Sequence, residues 1–299
     1  MDLEADVGAT TYGEAFFAGI EEGARRSADI IAPLLLELFR PKSVVDVGGG
    51  GGLWGAAFLA RGVPDVLTVD GPWVPTSARA VPPERFLEHD LSTPLALDRT
   101  FDLALCLEAA EHLPPSAAPE LVRTLTAAAP VVVFSAALPG QGGDGHANEQ
   151  PPSYWARLFQ DRDYECFPNL RRRAWDAADI EPWYRQNLLC FVRRSETARW
   201  RPVLGAPAEQ SDGPLDIAHP ELLARHKHRG DQLEAYARRL EGECSALREE
   251  LEATRRSLRS SEAELEGRRA DANIVNAALG SARRLAAQVG RRVGRLRTR

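Results

Sequence analysis

The side chains best suited to acid–base chemistry lie in the middle of the chain. Glu108, Glu111 and His112 form an E-x-x-E-H pattern directly after an apolar run, and His146 follows within a glycine-rich segment. On a helix, positions i, i+3 and i+4 share one face, so the first three side chains would converge. A positioned carboxylate or imidazole can take a proton from an acceptor group. We therefore predict Glu111, His112 and His146 as catalytic residues.

A run of five glycines, Gly48 to Gly52, indicates a ligand-binding turn between a strand and a helix. The β-favouring residues 43–47 precede this run, and a helical pattern over 53–60 follows it. Backbone N–H groups at such a helix N-terminus can bind a nucleotide-like cofactor. Glycine is needed there because a Cβ would hold the ligand away from the backbone.

Two cofactor fingerprints fit this turn, and their register separates them. The pattern G-x-G-x-x-G, from Gly50 to Gly55, matches a dinucleotide site, but its first glycine lies too far from the strand. The second pattern is acid-x-Gly-x-Gly-x-Gly, formed by Asp46, Gly48, Gly50 and Gly52. It is typical of S-adenosylmethionine (SAM) methyltransferases, and a carboxylate at position 46 suits a positively charged methionine moiety better than a pyrophosphate.

Strands and helices alternate over the first two thirds of the chain, which predicts an α/β fold with a doubly wound, Rossmann-like, mostly parallel seven-stranded sheet. After the first strand, apolar runs predict parallel strands over 66–69, 85–90, 101–107 and 130–135. Two antiparallel edge strands are expected near 165–166 and 188–192. The other predicted helical stretches are 12–22, 25–39, 117–128 and 153–160.

Composition and charge exclude some broad classes. The 299 residues contain neither an apolar run that could span a membrane nor a signal-peptide pattern, so we expect a cytoplasmic protein. The four cysteines lack CxxC spacing, which favours free thiols. The net charge is −6, with +6 from His219 onward and −12 before it. An acidic body argues against a general nucleic-acid binder.

The last third of the chain predicts a long helix with a coiled-coil seam. Its apolar residues occupy two heptad positions four residues apart, namely Leu233, Leu240 and Leu247, then Ala237, Cys244, Leu251, Leu258 and Leu265. This arrangement favours self-association or docking of another protein. The final stretch, 281–299, has seven arginines and no acid, which would suit contact with an anionic membrane surface.

On these motifs the chain is identified as a member of the class I SAM-dependent methyltransferases. It resembles a bacterial subgroup of that family in three motifs, VDGPW from Val69, PGQGGDGHANEQ from Pro139, and W-x4-I-x2-WY-x-QN from Trp175. The resemblance extends over about residues 12–192. It implies SAM as cofactor and a hydroxyl of a sugar, glycan or natural product as the acceptor.

The resemblance also implies which residues bind SAM. Asp70 ends the second strand, where an acid would hold the ribose hydroxyls, and Asp90-Leu91 lie where the family binds adenine. The implied cofactor set is Asp46, Gly48, Gly50, Gly52, Asp70, Gly71, Asp90, Leu91 and Leu107. Gly49 replaces a cysteine of many family members, and we expect the loop to tolerate this.

The E-x-x-E-H pattern is similar to the metal-binding motif of the plant small-RNA 2′-O-methyltransferase, which a histidine after strand five completes. The implied ligands of a Mg-like divalent ion are Glu108, Glu111, His112 and His146. The same pattern serves in metal-free members as a structural or general-base element, so both interpretations stay open. Acceptor contacts are expected from Tyr12, Phe16, Glu149, Tyr154 and Trp183, the first two belonging to an N-terminal lid.

We predict an N-terminal helical lid (1–40), a methyltransferase domain (41–200), a linker (201–220) and a coiled-coil helix with a basic amphipathic tail (221–299). His219, His226 and His228 are expected to be solvated, and Trp155 and Trp175 suit core packing and ligand stacking equally. The main hypothesis is a cytoplasmic O-methyltransferase, with peripheral contact to the inner membrane face left open. The alternatives are an RNA 2′-O-methyltransferase and a SAM-binding coiled-coil scaffold with little activity.

Overall fold

A seven-stranded sheet forms the centre of the N-terminal part of the protein. The computed structural model describes residues 14–210 and 214–296. The strands are β1 (Ser43–Val47), β2 (Asp65–Asp70), β3 (Phe86–Glu88), β4 (Leu103–Leu107), β5 (Val131–Ser135), β6 (Tyr164–Phe167) and β7 (Leu189–Arg193). Their order across the sheet is β3-β2-β1-β4-β5-β7-β6. The first five strands are parallel, and β7 pairs antiparallel with both β5 and β6.

Short helices connect the strands, and one long helix follows them. The helices are α1 (Glu14–Phe39), α2 (Leu53–Leu59), α3 (Ala118–Ala128), α4 (Pro152–Gln160), α5 (Asn169–Ala174), α6 (Pro182–Asn187), α7 (Thr197–Leu204) and α8 (Pro220–Leu296). No helix among the described residues is both long enough and apolar enough to cross a bilayer.

The sheet is covered on both faces because its strands are apolar on both sides. In β4, Leu103 and Leu105 pack with Ile31 of α1 and Phe58 of α2 on one face. The intervening Cys106 packs on the other face, with side chains of α3 and α4 such as Leu125 and Phe159. Parallel strands buried on both faces read as continuous apolar runs, which is why the strands were predictable.

The predicted α/β fold with a doubly wound, mostly parallel seven-stranded sheet and a long C-terminal helix is therefore confirmed. One prediction about the helices was wrong. The two stretches predicted over 12–22 and 25–39 form a single helix from Glu14 onward, and residues 12–13 lie outside the described part. Glycine at position 23 costs a helix only about 1 kcal/mol, and the buried Ala28 and Ile31 on the same helix offset that.

The chain divides into two compact units, Met1–Lys227 and His228–Arg299, with the boundary inside α8. Part of the predicted linker is ordered, since α7 reaches Leu204 and both Leu204 and His219 are buried. The expectation that His219 is solvated was wrong. Its backbone N–H donates to Gln186 Oε1 at 2.7 Å, and its ring lies against Trp175.

Candidate active site

The glycine turn brings the end of β1 to the first turn of α2. Gly48, Gly50 and Gly52 have φ angles of +75°, +54° and +79°, and Gly52 is the N-cap residue of α2. L-residues with a side chain seldom adopt such angles, so these positions favour glycine. A Cβ at Gly48 would also lie 2.5 Å from the Cβ of Ala109 and 3.5 Å from Leu91 Cδ1. The turn is thus packed against the segments that follow β3 and β4.

Asp46 is a buried carboxylate directly beneath this turn. A Cβ at Gly49 would lie only 2.2 Å from Asp46 Oδ2, so the carboxylate occupies the space of the missing side chain. Within the described part of the chain, no group forms a hydrogen bond of normal geometry with either oxygen of Asp46. Burial and the nearby Asp70 raise the pKa of Asp46 to about 7, and the Gly55 N–H opposes the rise only partly. A charge without a partner at this position fits a cationic ligand group.

Asp70 lies at the end of β2 and holds the turn from the neighbouring strand. Its carboxylate accepts hydrogen bonds from Gly50 N–H at 2.7 Å and Gly71 N–H at 2.6 Å. Burial raises the pKa of Asp70 despite these bonds. The Trp73 indole packs over Gly71, where a Cβ would lie 2.1 Å from the ring.

The other predicted cofactor residues lie beside the turn. Asp90 accepts a hydrogen bond from Ser92 N–H at 2.9 Å in a tight turn after β3, and Leu91 is buried next to Gly48. Leu107 is the buried last residue of β4.

The candidate site lies where the sheet order reverses, between the adjacent strands β1 and β4. Asp46 of β1 pairs in register with Leu105 of β4, and Leu107 pairs with Ser135 of β5. Ligands of open α/β sheets bind at this kind of switch point, beyond the carboxyl ends of the strands. Burial raises the pKa of the Cys106 thiol, and four nearby carboxylates raise it further, namely those of Glu111, Asp46, Asp70 and Glu108. These carboxylates therefore converge on the same region at the end of β4.

The E-x-x-E-H segment is not an α-helix. Glu108 has a left-handed backbone with φ of +52°, and only Ala110–His112 form a short 3₁₀ turn. The convergence of the three side chains therefore does not arise from one helical face. Among the described residues, a group with ligand atoms within 4.8 Å of one another consists of Glu111, His112 and His146. Glu108 contacts Glu111 but is not part of that group.

The loop after β5 brings His146 to Glu111. The N–H groups of Ala147 and Asn148 both donate to the Glu111 carbonyl, at 2.8 and 2.9 Å. The Glu111 side chain is fully buried, and neither of its oxygens accepts a regular hydrogen bond. Burial and the adjacent Glu108 raise the pKa of Glu111 well above its usual value. Contact between two carboxyl groups requires one of them to carry a proton.

Both histidines of this group are oriented by an oxygen acceptor. His146 Nδ1 lies 2.8 Å from Glu149 Oε1, and the same carboxylate accepts from Gly140 and Gly142 N–H at 2.7 Å. Burial alone would raise the pKa of Glu149, but these hydrogen bonds outweigh that effect and keep the pKa below its usual value. An ionised carboxylate only accepts, so His146 Nδ1 carries a proton, and Nε2 is the nitrogen that a neutral ring would present as a base.

His112 lies edge-on to His146, with ring centroids 4.9 Å apart. Burial and the neighbouring His146 lower the pKa of His112 to about 4, whereas a hydrogen bond with the Gly145 carbonyl opposes the change. His112 is therefore neutral at pH 7, as a metal ligand or proton acceptor must be.

Three amide side chains that the sequence did not single out surround Glu108. Asn187 Nδ2 donates to the two Glu108 oxygens at 3.1 and 3.3 Å, and Gln141 Nε2 donates at 3.4 Å. Gln186 Nε2 donates to Gln141 Oε1 and Asn187 Oδ1, both at 3.0 Å. Burial raises the pKa of Glu108 against these bonds. The signals for this cluster were Gln141 within the second motif and the Q-N pair that ends the third motif.

The five residues predicted to contact the acceptor have different surroundings. Tyr154 and Trp183 are half-buried, each with one side against core side chains. Glu149 holds His146, as described above. Tyr12 lies outside the described residues, and for Phe16 only the backbone, in α1, is described.

Trp155 and Trp175 have different surroundings. Trp155 is 1% exposed and packs against Phe134 with ring centroids 5.0 Å apart, so core packing is confirmed for it. Trp175 is half-buried and contacts the ring of His219, with centroids 4.6 Å apart.

Comparisons with known proteins identify a family for this part of the chain. A family model described as a methyltransferase domain matches residues 20–187. Among curated proteins, no match was found.

Several solved structures are similar at low identity. An O-methyltransferase family protein from Burkholderia thailandensis has a TM-score of 0.45 and 15% identity, over 60% of this chain and 59% of its own. A sugar N-methyltransferase from a Streptoalloteichus species has a TM-score of 0.47 and 18% identity, over 60% and 92%. The magnesium protoporphyrin IX methyltransferase of Synechocystis, solved with SAM, has a TM-score of 0.41 and 17% identity, over 64% and 86%.

The match to the family model covers more than half of the chain and includes the glycine turn, Asp70, the E-x-x-E-H segment and the amide cluster. The chain therefore belongs to the methyltransferase-domain family, and its sheet-containing part is a SAM-dependent methyltransferase domain.

Proposed function

We propose that this protein transfers the methyl group of SAM to a hydroxyl of a sugar or a similar natural-product metabolite. The observation that carries the proposal is the group of Glu111, His112 and His146, which lies at the strand ends next to the glycine turn. The acceptor class rests on the motif resemblance alone.

The cofactor end of the proposed site uses the turn and its two acids. Asp46 supplies the unpaired buried charge for the cationic methionine end, and Asp70 would exchange its contacts with the turn for the ribose hydroxyls. Leu91 and Leu107 offer apolar surface for the adenine ring. SAM supplies the methyl group, which moves from its sulfonium to the acceptor oxygen and leaves S-adenosylhomocysteine.

The acceptor end needs a base for the hydroxyl proton. His146 is suited to that role because Glu149 fixes its tautomer and leaves Nε2 as the basic nitrogen. Developing positive charge on the ring would be stabilised by the same Glu149 carboxylate. Tyr154 and Trp183 are the half-buried aromatic side chains proposed to contact the acceptor.

The same group also fits a divalent cation. It offers one carboxylate and two imidazoles within 4.8 Å, and each imidazole is oriented by an oxygen acceptor, as in many metal sites. Binding of the ion would displace the proton that Glu111 shares with Glu108, and Glu108 would then serve as a further ligand. Bound there, the ion would lower the pKa of the acceptor hydroxyl. Two imidazoles extend the choice of ion from Mg²⁺ to Mn²⁺ and other first-row metals.

Two experiments test this proposal. Purified protein is assayed with methyl-labelled SAM against free and nucleotide-linked sugars, using His146→Ala, Glu111→Gln and, as a matched control, the exposed His228→Ala. We expect methyl transfer by the native protein and the control, and loss of at least 100-fold in the other two, since a positioned base contributes about that factor. Transfer unchanged in His146→Ala would contradict the assigned base.

The metal is tested separately, by titrating Mn²⁺ and Mg²⁺ into EDTA-treated protein. Binding that Glu111→Gln abolishes would support the metal site. Activity insensitive to EDTA and to Glu108→Ala would remove the ion from the proposal and leave the general-base role.

The long helix α8 carries the proposed association, either with a second copy or with another protein. Its arginine-rich end is the proposed contact with a membrane surface.

A further inference from the structure

Helix α8 presents a row of leucines that no other described residue of its own unit covers. Six of them, Leu233, Leu240, Leu247, Leu251, Leu258 and Leu265, are between 39% and 64% exposed. They occupy the a and d positions of consecutive heptads, with the first three at d and the last three at a. A solvent-exposed helix with an apolar seam is typical of one strand of a coiled coil. The seam is complete as far as Leu251, beyond which Thr254, Ser261 and Arg268 occupy the d positions and only the a leucines continue it.

The residues beside the seam identify the partner as a second copy of this chain. The g positions are Tyr236, Glu243, Glu250, Ser257 and Glu264, and none of them is basic. Three e positions, Arg248, Arg255 and Arg269, each lie five residues after one of the glutamates. In a parallel pair of helices, a g residue faces the e residue five positions later in the partner helix.

In a parallel, in-register pair of identical helices, the three glutamates of each helix therefore contact the three arginines of the other, and no like-charge contact forms. In an antiparallel pair, g faces g and e faces e. The g side then provides no Glu–Arg contact in any register and, in the registers of greatest overlap, brings glutamates against one another, so that Glu–Arg contacts are left to the e side alone. A parallel shift by one heptad brings Glu250 against Glu262, or Glu264 against Glu262. Charge thus distinguishes both orientation and register, which is the usual role of e and g positions.

Two further details are compatible with this arrangement. Thr254 at a d position donates its hydroxyl to the Glu250 carbonyl of its own helix at 2.9 Å, so the hydroxyl needs no partner within the seam. Glu243 lies 3.3 Å from Arg239 of its own helix, but such exposed i,i+4 pairs are weak and exchange readily.

We propose that α8 pairs with a second copy of this chain as a parallel, in-register two-stranded coiled coil between about residues 233 and 269. This association is independent of the methyl-transfer proposal. In it, Cys244 at an a position faces Cys244 of the partner helix. Equivalent a residues of a parallel pair lie within the Cα separation that a disulfide needs, about 4.4 to 6.8 Å.

Cys244 makes the proposal directly testable, because it is exposed whereas Cys106, Cys166 and Cys190 are buried. The full-length protein is treated with diamide, which is reduced as the two thiols are oxidised to a disulfide. Native protein should give a covalent dimer on a non-reducing gel, and Cys244→Ser should not. The matched control moves the thiol to the outward f position, as Glu249→Cys in the Cys244→Ser background, and should crosslink far less.

Solution mass and a charge exchange complete the test. Light scattering should give twice the monomer mass of 32.8 kDa. Glu250→Arg should weaken dimerisation about tenfold, and adding Arg255→Glu should restore it, since the two changes exchange the charges of one pair. Retained SAM binding shows in each variant that the other unit is folded. A monomer, a larger oligomer, or a dimer that does not crosslink through Cys244 would overturn the proposal.

Discussion

The most consequential single residue is Asp46, a buried carboxylate that has no counter-charge among the described residues. Its pKa of about 7 means that the folded chain favours the protonated form, whereas the unfolded chain ionises near pH 3.8. Its contribution to stability is therefore fully present below the unfolded value and is lost as pH rises through the folded value. A bound cationic group would stabilise the ionised Asp46 carboxylate and so offset the cost of burying its charge.

Asp46→Asn should stabilise the free protein at pH 8 and weaken SAM binding. A shift of about three pKa units corresponds to an upper limit of about 4 kcal/mol in the free energy of unfolding. The gain should shrink as the pH falls from 8 toward 4, because the pH then approaches the value of 3.8 below which the native side chain is protonated in both the folded and the unfolded state. Urea unfolding at several pH values, with SAM titration at pH 8, measures both effects. A variant that is no more stable at pH 8 than at pH 4 would contradict the assignment.

Glu149 is a second single residue with a testable role, because its carboxylate positions His146. Glu149→Gln should lower methyl transfer by about 10- to 100-fold, the usual cost of losing a group that orients an imidazole. The KM for SAM should change little because Glu149 is not part of the glycine turn. Its pH–rate profile should also shift, which loss of packing alone would not cause. Glu120→Gln, which removes a half-buried ion pair with Arg123, is the control.

At the scale of elements, the predictable parts of the fold were those set by local pattern. Continuous apolar runs predicted the strands, which are buried on both faces, and Asp46 together with the glycines predicted the turn after β1. The backbone of the E-x-x-E-H segment could not be derived from the sequence, because Glu108 adopts a left-handed conformation that its sequence does not signal. Asn187 could not be assigned either, since it meets Glu108 across 79 residues of sequence.

Gly49 tests the turn as an element. Gly49→Ala should lower the free energy of unfolding by roughly 1 to 3 kcal/mol, the usual cost of forcing an atom into a packed site, because the new Cβ would displace the Asp46 carboxylate. Gly242→Ala in α8 is the matched control, as a Cβ there meets no atom within 4 Å, and it should be neutral or stabilising. Thermal unfolding compares the two, and equal unfolding temperatures would contradict the packing described for Gly49.

At the scale of the whole molecule, the start of α8 belongs with the methyltransferase domain. His219 and Leu222 are buried, and Arg185 pairs with Glu221. The predicted boundaries at 200, 220 and 221 remain predictions, and two truncations distinguish them from a boundary after Lys227.

A chain ending at residue 227 should unfold close to the temperature of the same unit in the full protein and should bind SAM. A chain ending at 218 loses the contacts of His219 and Leu222, and should unfold on the order of 10 °C lower, from a loss of a few kcal/mol. Equal melting temperatures would show that the start of α8 does not stabilise the domain.

The central claim is that the glycine turn with Asp46 and Asp70 binds SAM rather than a dinucleotide. Isothermal titration of the full-length protein with SAM and with NAD tests it most directly, with Asp70→Asn as the matched variant. We predict that SAM binds, that NAD does not, and that Asp70→Asn weakens SAM binding at least tenfold, because its carboxylate would no longer bind the ribose. Binding of NAD without binding of SAM would contradict the account.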